Sequence, residues 1–355
     1  MNGRSVSLDE AIPLLPRLQI LRRLLDDGAY RSGEHLAAEL GITRAAVWKL
    51  LDRLRQYGYG IEAVPHRGYR LVSVPDWPLP WEVALRLGEP DDAPRPIYFF
   101  PSVSSTNDVA RDLAERHGAP AGTLVVADRQ TSGRGRRGRA WHSPPGGIYL
   151  SLVARPRCHP RHAAVIALAA ALAVARAVEA LHGLQAAIKW PNDVLVDDRK
   201  LCGVLTEVAG DQEAIRWSVI GIGINVAARP GDAWPAGALP PISLSELGHR
   251  VDRAGLIARA VQELEALLAR LQADAQAACM EVARAVEQRL AWRGRPVRVE
   301  TGSTAVEGHL VGVDDGGALV LRDASGRRLD LMAGDVSLRA SAGRERAVSG
   351  TPQGG

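Results

Sequence analysis

Three short stretches hold residue types suited to gripping and activating anionic groups. From Gly133 to Arg139 the chain reads GRGRRGR. Arginine supplies fixed-fork donors that are always charged, and glycine lets the backbone take positive φ and bring its N–H groups close to a ligand. Such a loop between two strand-like runs reads as an anion-binding site. A solvated basic loop or a nucleic-acid patch would have the same composition. The second stretch, IKWPNDVLVDDRKLCGVLTE from Ile188 to Glu207, places Lys189 before the turn-forming Pro191-Asn192-Asp193. A lone lysine here is more often a surface residue. Trp190 beside it would shield the ammonium from water and strengthen its field on an anion. The third stretch, Ser104-Ser105-Thr106-Asn107, offers hydroxyl and amide groups that both donate and accept. At a helix start the same residues also serve as caps.

These stretches need elements to hold them. GRGRRGR lies between strand-like runs, 123–127 and 148–153. Lys189 closes a short apolar run, and Asp197-Asp198-Arg199-Lys200 reads as a hairpin tip. Ser104 to Asn107 follows a strand at 97–100 and precedes a helix at 108–117. A helix at 163–181, apolar nearly all round, suits burial against a sheet. The run 214–226 ends in Gly221-Ile222-Gly223-Ile224-Asn225, which resembles the strand of a known ligand-binding family whose glycines let a ligand approach the backbone. Strands alternating with helices predict a mixed α/β layer for residues 97–292. After two further helices, four short strands between 296 and 331 predict a small β-barrel at 293–340, and 341–355 reads as a disordered tail.

The first hundred residues have a different pattern. Residues 1–16 are polar and proline-bearing and read as frayed. Leu18, Leu21, Leu24 and Leu25 recur at helical spacing. Ser32 caps a second helix that Gly41 ends, and Thr43 caps a third. The third has an apolar stripe of Val47, Leu50, Leu51, Leu54 and Tyr57. With two strand-like runs around His66-Arg67-Gly68, residues 17–73 predict a winged helix-turn-helix domain. Its third helix would enter the major groove, with Arg44, Trp48 and Lys49 near base edges and Arg53, Arg67 and Arg70 on phosphate. A three-helix packing module with an ordinary charged surface is the alternative. Pro75, Pro78 and Pro80 stiffen a linker spanning 74–96, with a short helix at 81–87.

Composition narrows the class. The 355 residues are 46% hydrophobic and 24% charged, with a net charge of +4, which suits several globular domains and permits an anionic partner. Three cysteines make no paired framework, which suggests a reducing cytoplasm. Cys158, His159 and His162 are too few for a metal site. The 13-residue apolar run Ala163–Ala175 is too short to span a bilayer, and no signal peptide is evident.

GRGRRGR, KWPND (189–193) and SSTN (104–107), in this order and spacing, resemble the biotin protein ligases. The winged segment narrows the resemblance to the bifunctional form, ligase and biotin-operon repressor in one chain, from about Leu18 to Arg339. The resemblance implies an α+β multidomain fold: a DNA-binding domain, a ligase domain of the biotin/lipoate type and a C-terminal SH3-like barrel. It implies that biotin's carboxylate attacks the α-phosphorus of ATP, giving biotinyl-5′-AMP, which a lysine of a biotin carboxyl carrier domain of acetyl-CoA carboxylase then attacks. Ser105, Thr106, Asn107 and Gln130 would line the biotin pocket, with Gly203 and Asn225 also at the ligand. Lys189 would hold carboxylate and α-phosphate oxygens together, and Asp193 would orient Lys189 or the incoming amine. Arg134 and Arg136 would grip biotinyl and phosphate groups, with Gly135 letting the loop fold over them, and Mg²⁺ would neutralise the triphosphate. Trp234, in the loop 227–241, is a candidate lid residue. Operator DNA and a homodimer promoted by biotinyl-AMP complete the implied partners. A lipoate ligase, or a ligand-sensing transcription factor without turnover, is the competing reading.

Overall fold

The computed structural model describes residues 8–227, 239–301, 304–332 and, as backbone, 336–340. Trp234 and the expected tail at 341–355 lie outside them.

The chain enters through a two-residue strand, β1 (Ile12–Pro13), followed by α1 (Pro16–Leu24), α2 (Gly33–Leu40) and α3 (Arg44–Gln56). Both expected caps form: Ser32 Oγ accepts from His35 N at 3.0 Å and Thr43 Oγ1 from Ala46 N at 3.2 Å. Gly41 ends α2 in the left-handed region at φ 60°. Val47, Leu51 and Leu54 face inward from α3, and Trp48 faces out, 54% exposed. The wing is β2 (Gly60–Val64) paired with β3 (Gly68–Ser73). A side chain at Gly68 would lie 2.1 Å from the Arg31 carbonyl oxygen, so only glycine lets the wing close on the residue before α2.

Residues 8–15 are not frayed. Ile12 and Pro13 pair antiparallel with Phe99 and Tyr98, and Leu14 N donates to Ile97 O at 2.9 Å. Leu8 and Ala11 pack on the cluster around Phe100 and Val109, and Ile12, Leu14 and Leu15 pack on the main core. The spaced apolar residues of this stretch cover a sheet edge that only the fold reveals.

Between the wing and the large sheet runs α4 (Pro80–Leu87). It is packed between α1 and α7, with Trp81, Val83 and Ala84 buried. The large sheet then forms from β4 (Ile97–Phe100), β5 (Leu124–Ala127), β6 (Ile148–Ala154), β7 (Ala187–Lys189), β8 (Asp193–Val196), β9 (Arg199–Gly210) and β10 (Ile215–Ile224). Their order, with β1, is β1-β4-β5-β6-β10-β9-β8-β7. Only β4 and β5 run parallel. The β8–β9 turn holds Asp197 and Asp198 at φ 52° and 56°, the double positive φ that a tight hairpin requires.

The two faces of this sheet differ. One carries Leu150, Leu152, Ile220, Ile222, Cys202 and Val204, covered by α6 (Ala163–His182) and α7 (Arg253–Ala273), with α8 (Ala275–Glu287) packed on both helices and on the C-terminal module. At 20 residues, α6 outruns the 13-residue apolar run. It is long and apolar enough to cross a membrane, but its apolar residues are buried in this core. The other face carries Tyr149, Val153 and Val219 and is covered by one helix, α5 (Thr106–Arg116), which packs on β5, β6 and β10. The same face also carries Gly203, Gly221 and Gly223, over which Asn107 of α5 and Trp141 lie.

The C-terminal module is a five-stranded antiparallel sheet of β11 (Pro296–Thr301), β12 (Thr304–Val313), β13 (Leu319–Arg322), β14 (Arg328–Leu331) and β15 (Val336–Ala340). Its order is β14-β13-β12-β11-β15, one strand more than the sequence pattern suggests.

Candidate active site and DNA-binding helix

Strand registry builds the site. Lys189 pairs with Asp193, Asp193 with Gly203, Gly203 with Gly223 and Gly223 with Tyr149. These residues lie in one row across the sheet, and Ser151 and Gly221 occupy the same face one pleat away. Cations and a carboxylate lie at one end of the row, and hydroxyl and amide groups stand beside the other.

The polar end is a closed hydrogen-bond network. Ser151 Oγ donates to Asn107 Oδ1 at 2.6 Å and stands 2.8 Å from Thr106 Oγ1. Gln130 Oε1 accepts from Thr106 N at 2.9 Å, and Gln130 Nε2 donates to Ser143 Oγ at 3.0 Å. Ser105, Thr106 and Asn107 are all buried. The Ser105 hydroxyl makes no cap for α5, contrary to the local reading, because the Gln130 amide reaches that helix terminus instead. The glycines also differ from expectation. A Cβ on Gly221 would lie 2.1 Å from Asn107 Oδ1, and one on Gly223 would lie 2.4 Å from Trp141 Nε1. They make room for protein side chains, which in turn form the floor. Gly203 likewise lies beneath the Trp141 ring.

At the charged end Asp193 is buried between two ammoniums. Lys200 Nζ is 2.8 Å from Oδ1 and Lys189 Nζ is 3.6 Å from Oδ2. Burial works to raise the Asp193 carboxyl, but Lys200 and Lys189 outweigh it and hold it below the usual aspartate range. Burial lowers Lys189, opposed by Asp193 and reinforced by the nearby charges of Lys200 and Arg139. Trp190 does not shield this ammonium. In the turn after β7, its indole is fully buried in the main core on the α6 side of the sheet and donates to Gly317 O at 2.8 Å. The desolvation of Lys189 comes from its own face.

The arginine loop folds back on itself: Gly135 N donates to Arg139 O at 2.7 Å and Trp141 N to Gly133 O at 2.9 Å. Arg134 leans to the polar end, 2.6 Å from Asp108 and 3.4 Å from Glu207. Arg136 leans to the charged end, with Nη1 3.5 Å from Asn192 Oδ1. The two arginines thus flank the row from opposite ends. Asn225 is buried and its Nδ2 donates to Lys200 O at 3.1 Å, so it supports the backbone beside the second lysine.

Sequence reasoning missed four residues. Ser151 is a lone hydroxyl in the apolar run Ile148–Ala154, which was a usable signal. Lys200 looked like a hairpin-tip residue. Glu207 receives both Asn107 Nδ2 and Arg134. Trp141 packs beneath Lys200, 5.0 Å from the ammonium to the ring centroid, and its Nε1 is buried with no acceptor among the described residues.

In the N-terminal domain Arg44, Trp48, Lys49 and Arg53 are all exposed on α3. Arg44 makes only a solvent-exposed contact to Glu34. Arg67 lies at the wing tip with its guanidinium 4.0 Å from the Tyr30 ring centroid. Arg70, an expected phosphate contact, instead bonds Glu62 at 2.6 Å.

Comparison with known proteins follows these divisions. The Biotin/lipoate A/B protein ligase family matches residues 99–225, an HTH domain matches 16–70, and the Biotin protein ligase C terminal domain matches 294–339. The bifunctional ligase/repressor BirA of Escherichia coli (strain K12) is 33% identical over 341 residues, 94% of this chain and 99% of that protein. The protein of the same name from Bacillus subtilis (strain 168) is 41% identical over 228 residues, 64% of this chain and 70% of that one. The Aquifex aeolicus biotin protein ligase in complex with biotin and ATP superposes with a TM-score of 0.57 at 28% identity, covering 69% of this chain and 99% of its own. With a DNA-binding domain, a ligase core and a C-terminal sheet each matched in order, the chain belongs to the biotin protein ligase family, in its bifunctional ligase/repressor form.

Proposed function

We propose that the protein is an ATP-dependent biotin protein ligase that forms biotinyl-5′-AMP and passes biotin to a lysine of a biotin carboxyl carrier domain. It also represses transcription through its winged domain. The observation that carries this reading is the row itself: a buried floor of donors and acceptors beside a desolvated lysine, roofed by an arginine–glycine loop.

The ureido ring of biotin needs donors and acceptors together, which Ser105, Thr106, Asn107 and Gln130 supply with Ser151. The Trp141 N–H is a further donor awaiting an acceptor. Biotin's carboxylate then points along the row toward Lys189. Attack on the α-phosphorus forms the acyl–phosphate bond as the bond to pyrophosphate breaks, and Lys189 stabilises charge on the shared oxygens. Asp193 orients Lys189 and Lys200, and Arg134 and Arg136 hold the biotinyl and phosphate ends while the adenylate waits. A carrier lysine then attacks the acyl carbon and AMP leaves. Mg²⁺ enters as the counter-ion of the ATP triphosphate. Gly203 and Asn225 shape the wall, and Trp234 is the lid candidate.

Arg44, Trp48 and Lys49 are the base-reading group and Arg53 and Arg67 the phosphate group. Operator binding by a homodimer carrying biotinyl-AMP, in the cytoplasm where both DNA and carrier reside, completes the proposal. The test is mass spectrometry of a carrier domain after incubation with this protein, biotin, ATP and Mg²⁺, with lipoate in a parallel tube. A biotin-sized gain on one lysine supports the ligase. A lipoyl gain instead, or biotin bound without transfer, overturns it.

A further inference from the structure

Arg253, the first residue of α7, is a guanidinium only 3% exposed. Its Nη1 donates to Asp128 Oδ1 at 2.6 Å and to Gly147 O at 3.0 Å, and its Nε donates to Asp76 O at 2.9 Å. Asp128 closes β5 two residues before Gln130, and its Oδ1 also accepts from Gly146 N at 3.2 Å. Gly146 O in turn accepts from Ala227 N at 3.1 Å. One buried side chain therefore ties together the end of β5, the Gly146–Gly147 turn that follows the arginine loop, and the segment leading to the winged domain.

The neighbouring residue extends the tie. Asp252 caps α7 through Gly255 N, and its Oδ2 accepts from Arg86 Nε at 2.6 Å. Arg86 donates to the buried Glu82 at 2.7 Å. Glu82 also accepts from Arg22 Nε of α1 at 2.6 Å and from Tyr59 Oη, just before β2, at 2.5 Å. Arg22, Glu82 and Arg253 are buried, and buried charges are costly unless fully paired, so moving one of them strands its partner; the Arg86–Asp252 pair that joins the two halves is part-exposed.

We propose that the Asp252–Arg253 dipeptide couples the ligand loops to the DNA-binding domain, with Arg253 as the positioning residue for both. Closing the loops on ligand moves Asp128 and the Gly146–Gly147 turn. Arg253 passes that displacement to Asp76, and Asp252 passes it through Arg86 and Glu82 to Arg22 and Tyr59. This rests on the proposed biotin and ATP binding, and it identifies the physical connection by which binding reaches the winged domain.

The experiment is hydrogen exchange on the full-length protein with and without saturating biotin and ATP, with biotin binding verified by calorimetry. In the wild type, ligand should slow exchange about fivefold or more, the lower end of ordinary allosteric coupling, at 146–149, at 76–86 and at 57–62. In Arg253→Met the slowing should remain at 146–149 and vanish at 76–86 and 57–62. Asp252→Asn keeps a capping side chain at a half-exposed position, so its fold is secure. It should lose the slowing at 57–62 and keep it at 146–149. Ligand-induced slowing that reaches 57–62 undiminished in both variants overturns the proposal, as does a wild type that binds biotin without any change beyond residue 149. No biotin binding by calorimetry overturns the functional reading and the coupling with it.

Discussion

Asn107 occupies the space that a side chain at position 221 would take: a Cβ there would lie 2.1 Å from Asn107 Oδ1 and 2.8 Å from its amide carbon. Asn107 is itself held by Ser151 and Leu205 O. The glycine in β10 and the asparagine on α5 are therefore one feature, and the polar floor exists because the strand beneath it has no side chain.

Gly221→Ala should push Asn107 off Ser151. Overpacking of this kind costs about 1–3 kcal/mol, and the floor loses its geometry as well. Calorimetry should show biotin affinity falling by about tenfold or more, and thermal unfolding should shift downward. Unchanged biotin affinity would show that Asn107 does not face the ligand.

Lys189→Ala should abolish pyrophosphate release, because no other group occupies its place in the row. The pH dependence follows from its surroundings. Burial favours the neutral amine, so the essential ammonium loses its proton below the usual lysine value of 10.5, and kcat/KM should fall on that alkaline side. Asp193 opposes the shift. Asp193→Asn removes a negative charge, lowers the lysine further and should move the alkaline limb to lower pH. A limb that stays still or moves up in Asp193→Asn contradicts this arrangement.

Arg136→Gly removes the grip at the charged end while Arg134 remains tied to Asp108. The adenylate should form and then escape, so that lysines on bystander proteins become biotinylated. Quantitative labelling of an added unrelated protein measures this. Labelling confined to the carrier domain would remove Arg136 from the retaining group.

Trp190→Phe keeps the ring in the core but deletes the N–H that satisfies Gly317 O. A buried carbonyl left without its donor costs about 1–3 kcal/mol, which denaturant unfolding would register as a lower midpoint. An unchanged midpoint would mean that the C-terminal sheet is seated by other contacts.

The parts legible in the sequence were those written in local chemistry. The Ser32 and Thr43 caps, the stripe on α3, the double-aspartate turn and the alternation around the ligase core all depend on residues near each other in the chain. So did Lys189, since the turn after it aligns it with Asp193. Features requiring distant strands were not legible. Nothing local says that Gln130 rather than Ser105 ends α5, that Trp190 turns toward Gly317, or that Ser151 stands beneath Asn107. Arg253 and Glu82 carry no local signal of their burial, because their partners lie 125 and 60 residues away. The strand at Ile12–Pro13 was missed for the same reason, since its partner β4 lies beyond the whole winged domain.

That strand changes what kind of object the DNA-binding domain is. The polypeptide contributes to the ligase sheet at Ile12, leaves to build three helices and a wing, and returns to the same sheet at Ile97. The winged domain is thus a handle attached at both ends rather than a bead on a string. Cutting the chain after residue 73 to obtain a free-standing ligase would also strip the border from β4, leaving its backbone groups open to pairing with another molecule. A shortened enzyme that clumps would therefore be reporting a lost sheet edge, not a lost function of the winged domain.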